Sequence, residues 1–252
     1  MSKSNTSSLP LLYTNPQPLD KNNHRGLGIK ERMDLGFTAH AHAIPINMIE
    51  CAQISLTYPI VFASDEHATP VAVLGLQEGE NLFLTPDGRW FDPAAYIPSY
   101  VRRYPFILAE ISGTQQMTLC VDDTPNVLVA KSPHQLLDAS GNPSELTKGA
   151  LEYCKSFQAA ALHTRAFSDA LRSKGLLVKR EAQIPIPGGK DIRFGGFQVL
   201  DDEKFATLDD ATVLSWRKEG WLSACYAILF SAPNWGRLAR LHAMRSGAPR
   251  AA

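Results

Sequence analysis

Net charge, cysteine and long hydrophobic runs are all scarce in this 252-residue sequence. Lysine plus arginine number 25, and so do aspartate plus glutamate. Such a balance gives no field to draw in a phosphate backbone, so no nucleic-acid partner is expected. Weak self-repulsion leaves room for a homo-oligomer or a protein partner. The four cysteines, Cys51, Cys120, Cys154 and Cys225, form no Cys-x-x-Cys pair. Each lies in an apolar stretch, as suits structural thiols in a reducing compartment. The longest apolar candidate, Leu222 to Ala232, contains Ser223 and Ser231. It is about half the length a bilayer requires, so no membrane span is expected. Leu9-Pro10-Leu11-Leu12 is too short for the hydrophobic part of a secretion signal. A cytoplasmic location follows as an expectation.

Catalytic signatures are missing too. There is no Gly-x-Ser-x-Gly and no Gly-x-x-x-x-Gly-Lys, and Gly26-Leu27-Gly28 lacks both a preceding strand and a third glycine. No catalytic residue and no cofactor can be assigned.

What is present is enough for a core: 44% apolar residues with only 20% charged. Prolines and asparagines make residues 1–35 an irregular arm. Phe37 to Ile44 alternates large and small residues like a strand, and Ile46 to Leu56 suits a short helix. Tyr58 to Phe62, Pro70 to Leu76 and Asn81 to Leu84 read as a meander of three strands. A short helix before Tyr104-Pro105 leads into a strand, and Met117 to Val121 reads as another.

The strongest helix signal runs from Pro143 to Lys174, with Asn142 as N-cap and Gly175 as the left-handed stop. Its stripe of Leu146, Ala150, Tyr153, Phe157, Ala160, Thr164, Phe167 and Leu171 predicts that Phe157 and Phe167 are buried. A hairpin follows across Pro187-Gly188-Gly189-Lys190, with a bulge at Gly195-Gly196. Asp209 to Phe230 reads as a second long helix despite Gly220. The clusters Asp201-Asp202-Glu203 and Asp209-Asp210 suit helix starts. The predicted fold class is α+β, an antiparallel or mixed sheet with two longer helices packed against it. The expected organisation is an arm at 1–35, one domain at 36–240 and a flexible tail at 241–252.

Taken in order, several stretches resemble the SapC family of bacterial proteins. They include Phe37 to His40, Tyr58 to Phe62, Pro70 to Leu76, Gly195 to Asp202 and Gly220-Trp221-Leu222. The sharpest is Tyr100-Val101-Arg102-Arg103-Tyr104-Pro105-Phe106. The resemblance implies an association with bacterial surface layers, by the family's name. Relatives are often encoded beside halogenase-like proteins, cupin-type oxygenases and outer-membrane receptors, which implies an accessory role. It supplies no catalytic residues to place on this chain.

Three constellations remain as candidate sites. His40 and His42 would share one face of a strand, a spacing used by metal sites, with His24, His67, Glu50 or Asp122 as third ligand. Arg102 and Arg103 stand where a helix gives way to a strand. At least one is expected to be partly buried and tied to backbone carbonyls or to Asp122 or Asp92, an external carboxylate or phosphate being the alternative. Trp90, Phe91, Tyr96, Tyr100 and Tyr104 suit an aromatic groove for an extended peptide. The leading function is a non-catalytic accessory protein acting on a protein or peptide partner. The alternatives are a metal- or cofactor-assisted enzyme built on His40 and His42, or a structural component related to surface layers.

Overall fold

The computed structural model describes residues 9–110, 116–186 and 189–246. In its first half the chain forms β1 (Pro16–Pro18), β2 (Leu27–Ile29), β3 (Ala43–Pro45), α1 (Cys51–Ile54), β4 (Ile60–Ala63), β5 (Pro70–Val73) and α2 (Ser99–Arg102). Then come β6 (Phe106–Glu110), β7 (Met117–Asp122), β8 (Leu128–Ala130), β9 (His134–Gln135) and α3 (Glu145–Ser173). The rest holds β10 (Leu177–Ile184), β11 (Ile192–Leu200), α4 (Asp202–Ala206), α5 (Asp210–Lys218), α6 (Trp221–Phe230) and α7 (Asn234–Arg245). All strand pairings among the described residues are antiparallel, and the fold class is α+β.

Two compact units result. The first joins the chain up to Asp34 to Arg103–Ser156, and the second joins Leu35–Arg102 to Phe157–Ala252. The N-terminal segment, expected to be irregular, supplies β1 and β2 to the first unit. Two small sheets, β1-β7-β6 and β8-β2-β9, enclose Phe106, Val121, Leu136 and Cys154. Asp122 is fully buried there. It accepts from the Thr14 and Asn15 backbone N–H groups (2.9 and 2.6 Å) and from the Tyr104 hydroxyl (2.8 Å), which fastens the arm to β7.

The second unit is built on a five-stranded sheet, β10-β11-β4-β5-β3. The β10–β11 hairpin forms as expected, although residues 187–188 of its connection lie outside the described residues. Its register slips where Gly195 and Gly196 face Glu181. A side chain at Gly195 would lie 3.2 Å from Glu181 Cγ, a tight contact, and Gly196 has φ 79°, where glycine is strongly favoured. Phe62, Phe167 and Leu171 pack without exposure, with Phe167 6.4 Å from the Phe62 ring and 6.1 Å from Trp221.

Several expectations need correction. Phe37 to Ile44 is not a strand: Gly36–Thr38 forms a 3₁₀ turn, and only Ala43–Pro45 pairs. Thr38 closes the turn, giving both its N–H (2.9 Å) and its hydroxyl (2.7 Å) to the Leu35 carbonyl. Asn81 to Leu84 is a buried loop, whose carbonyls are taken by the Arg245 guanidinium. The N-cap of α3 is Ser144, whose Oγ accepts the Thr147 N–H at 3.2 Å, while the Asn142 N–H is held by Asp138. Phe157 is only half-buried, and Leu146 is exposed. The second long helix is two helices, because Gly220 adopts φ 74° and turns α5 into α6. Asn234 onward is a helix whose Leu238 is fully buried.

The acidic clusters act as helix caps. Asp201 accepts from the Lys204 N–H, and Asp209 accepts from the Thr212 N–H (2.9 Å) and hydroxyl (2.7 Å). These bonds hold the Asp209 carboxyl down to about 2. A depressed carboxyl stabilises the fold above its unfolded value near 3.8, and the benefit is lost as pH falls toward 2. The stability difference between parent and Asp209→Ala should therefore be constant above about pH 4 and shrink below it. A difference that stays constant through that window would contradict the cap.

All four cysteines are free and buried. Burial raises the Cys51 thiol, and pushes Cys225 up to about 12. Thiolate is the reactive form, so the native protein should react with Ellman's reagent only after unfolding. One thiol reacting rapidly in the native state would contradict this packing.

Candidate functional site

Residues of the second unit assemble a site around the turn between β3 and α1. Asn47 opens that turn with extended backbone, and Glu50 lies three residues on, the spacing of a capping box. The Glu50 carboxylate reaches back to the Asn47 N–H at 3.0 Å. It also accepts the Ser99 N–H (2.7 Å), the Ser99 hydroxyl (2.5 Å) and the Tyr96 hydroxyl (2.9 Å). Only 4% of Glu50 is exposed. A carboxylate buried this deeply is tolerated because four donors surround it. The Tyr96 hydroxyl is pushed up to about 12, first by burial and then by the Glu50 charge. Arg102 closes the network, donating from its guanidinium to the Tyr96 hydroxyl at 2.6 Å and from Nε to the Ile97 carbonyl at 2.9 Å.

On the other side of Asn47 is a cavity of ≈ 220 Å³. Ile46, Pro70, Tyr100, Phe157 and Ala161 give it a mostly apolar wall. Tyr100 and Phe157 meet edge to face at 6.1 Å. The Thr164 hydroxyl accepts the Met48 N–H at 2.8 Å and has one proton to give, which goes to the Ala160 carbonyl at 2.7 Å. The Asn47 carboxamide, 3.4 Å away, gains only a weak contact from it. Its amide nitrogen has no partner among the described residues, although Asn47 is 4% exposed and lines the cavity. The carboxamide oxygen also takes the Glu50 N–H in the capping box, so the carboxamide meets the cavity with a donor to spare.

A second cavity of ≈ 360 Å³ is lined by Met48, Ile49, Ala52, His163, Glu219 and Ser223. His163 Nε2 accepts the Trp221 indole N–H at 3.3 Å and lies 3.8 Å from Glu219. No hydrogen bond joins His163 to Ser223 among the described residues, so no nucleophile and base are paired there.

The chain matches the SapC family over residues 19–238. It belongs to the SapC family. Searches of curated proteins and of solved structures found no match.

The candidate residues fall at different places in this SapC chain. Tyr96, Tyr100 and Arg102 gather around Glu50 and the first cavity. Arg103 and Tyr104 belong to the other unit, where the Arg103 guanidinium lies 5.7 Å from the Tyr13 ring centre. Trp90 is a core residue, its indole N–H on the Tyr58 hydroxyl at 2.8 Å. Of the expected arginine partners, Asp122 accepts from the arm and Tyr104, and Asp92 pairs with Arg237 at 2.9 Å. Arg102 donates to the Ile97 carbonyl but is exposed, and Arg103 is the half-buried one of the two.

His40 and His42 do not lie on a strand. His40 Nδ1 is 3.4 Å from the Gly79 carbonyl, and the His42 carbonyl accepts from Leu74 and Gly75. Among the described residues no three His, Cys, Asp or Glu side chains gather as a metal would need. No described helix is long and apolar enough to cross a membrane.

Asn47, Glu50 and Thr164 carry the site, and sequence reasoning gave the first and last no role in it. Two signals were available. Asn47 and Glu50 have capping-box spacing, and Thr164 is the one hydroxyl apart from Tyr153 in the apolar stripe of α3.

Proposed function

We propose that this SapC protein is a non-catalytic accessory protein that binds a protein or peptide partner, gripping an apolar side chain in the Asn47 cavity. One observation carries the reading: a buried carboxamide with an unused N–H donor lines a mostly apolar recess. That N–H donor suits the carbonyl of a peptide group. Apolar walls with a few well-placed polar groups are the usual make-up of a recognition pocket. The cavity is below the roughly 300–1,000 Å³ of pockets for drug-sized molecules, so a single side chain suits it better than a large cofactor. The missing nucleophile motifs and the near-zero net charge point the same way.

Ala161→Leu fills the cavity from α3 without placing a charge in it. Tagged parent and variant should be compared for captured proteins in the native cell. A partner held in near-equal amount by the parent should fall about tenfold in the variant at unchanged thermal stability, the effect expected of overpacking a contact. Equal capture by both chains would remove the cavity from the account.

A further inference from the structure

The α3 helix carries four lysines and arginines, and three follow one rule. Lys148 pairs with Glu145 (2.7 Å), Lys155 with Glu152 (2.8 Å) and Arg172 with Asp169 (3.7 Å), each acid three residues earlier. Arg165 breaks it, because Leu162 stands at that place. Asp169, one turn further on, is turned to Arg172 instead. The Arg165 side chain makes no hydrogen bond or ion pair among the described residues, and it lines the Asn47 cavity. No carboxylate lines that cavity. His67, the other group at its rim able to carry a positive charge, is already held by Glu66 at 2.9 Å.

We infer that the cavity takes an apolar group bearing a carboxylate, with the apolar part against Tyr100 and Phe157, the anion on Arg165 and an adjacent amide on Asn47. The inference rests on the binding reading above and names its ligand class. The planar guanidinium gives two parallel N–H donors, which match a carboxylate better than any other common anion except phosphate. A neutral apolar ligand would leave Arg165 with nothing to do. A phosphate ester would bring more charge than one guanidinium neutralises beside apolar walls. Two sources share the required chemistry: the free C-terminus of a peptide ending in an apolar residue, and a free small apolar acid.

The probes are N-acetyl-leucine and N-acetyl-leucinamide, and a pentapeptide ending in leucine with a free or an amidated terminus. Affinities are measured by calorimetry on the full chain. The acid of each pair should bind about 10- to 100-fold more tightly than its amide, as expected of a charge-assisted hydrogen bond. Arg165→Met should bring each acid down to its amide. Arg165 is exposed, so the fold should survive, and an unchanged melting temperature checks this. Tighter binding of the peptide acid assigns the site to a chain end, and tighter binding of N-acetyl-leucine assigns it to a small acid. Equal binding of acid and amide, or a preference that survives Arg165→Met, overturns the carboxylate inference and leaves the binding reading standing. Absence of binding by all four probes also overturns it, and the binding reading is then decided by the Ala161→Leu capture.

Discussion

Glu50→Leu should destabilise the protein by about 2–5 kcal/mol. Two of the donors on this carboxylate are hydroxyls, from Tyr96 and Ser99, and they can turn elsewhere. The other two are the backbone N–H groups of Asn47 and Ser99, which cannot. Each buried donor left without a partner costs roughly 1–3 kcal/mol. Glu50→Gln keeps the shape and one oxygen, so its loss should be smaller, about 1–3 kcal/mol. Urea unfolding of the three chains checks the order parent, Gln, Leu. A Glu50→Leu protein within about 1 kcal/mol of the parent would show that the four bonds do not hold the turn.

Phe167→Ala should cost about 3–5 kcal/mol, since the ring is unexposed between Phe62 and Trp221 and its loss leaves a void. Phe157→Ala, ten residues earlier on the same stripe, should cost only about 1–2 kcal/mol. Its ring is only partly buried and its removal enlarges a cavity that exists. The contrast matters more than either value. Equal losses at the two positions would place Phe157 in the core and deny the cavity its wall.

These two phenylalanines also mark the limit of what was legible in the sequence. A period of 3.6 residues identifies the face of α3 that turns inward, but not where along that face the packing opens. Local signals read well: Gly175 ends α3 with φ 66°, and Gly195-Gly196 bulges the hairpin. Gly220 was visible as a weak point, yet its left-handed conformation was not; that turn accompanies an edge-to-face contact of Trp216 with Trp221, 5.8 Å apart. Short strands failed where hydrophobicity alone supported them. Asn81 to Leu84 is as apolar as a strand, but its carbonyls go to Arg245, 161 or more residues away, a pairing no local pattern announces. The candidate site suffered in the same way. Arg102 and Tyr96 were visible as a basic and an aromatic residue, but the carboxylate that takes the Tyr96 hydroxyl, Glu50, lies 46 residues before it.

The most direct test of the binding site is the side-chain amide signal of Asn47 in a proton–nitrogen spectrum, assigned by its disappearance in Asn47→Asp. Titration with the leucine-ended peptide should shift that signal to saturation, in step with the backbone signals of Tyr100 and Ala161, while the indole signal of Trp90 stays in place. A peptide that binds while the Asn47 amide signal does not move would contradict the account, because the partner would then be held somewhere else.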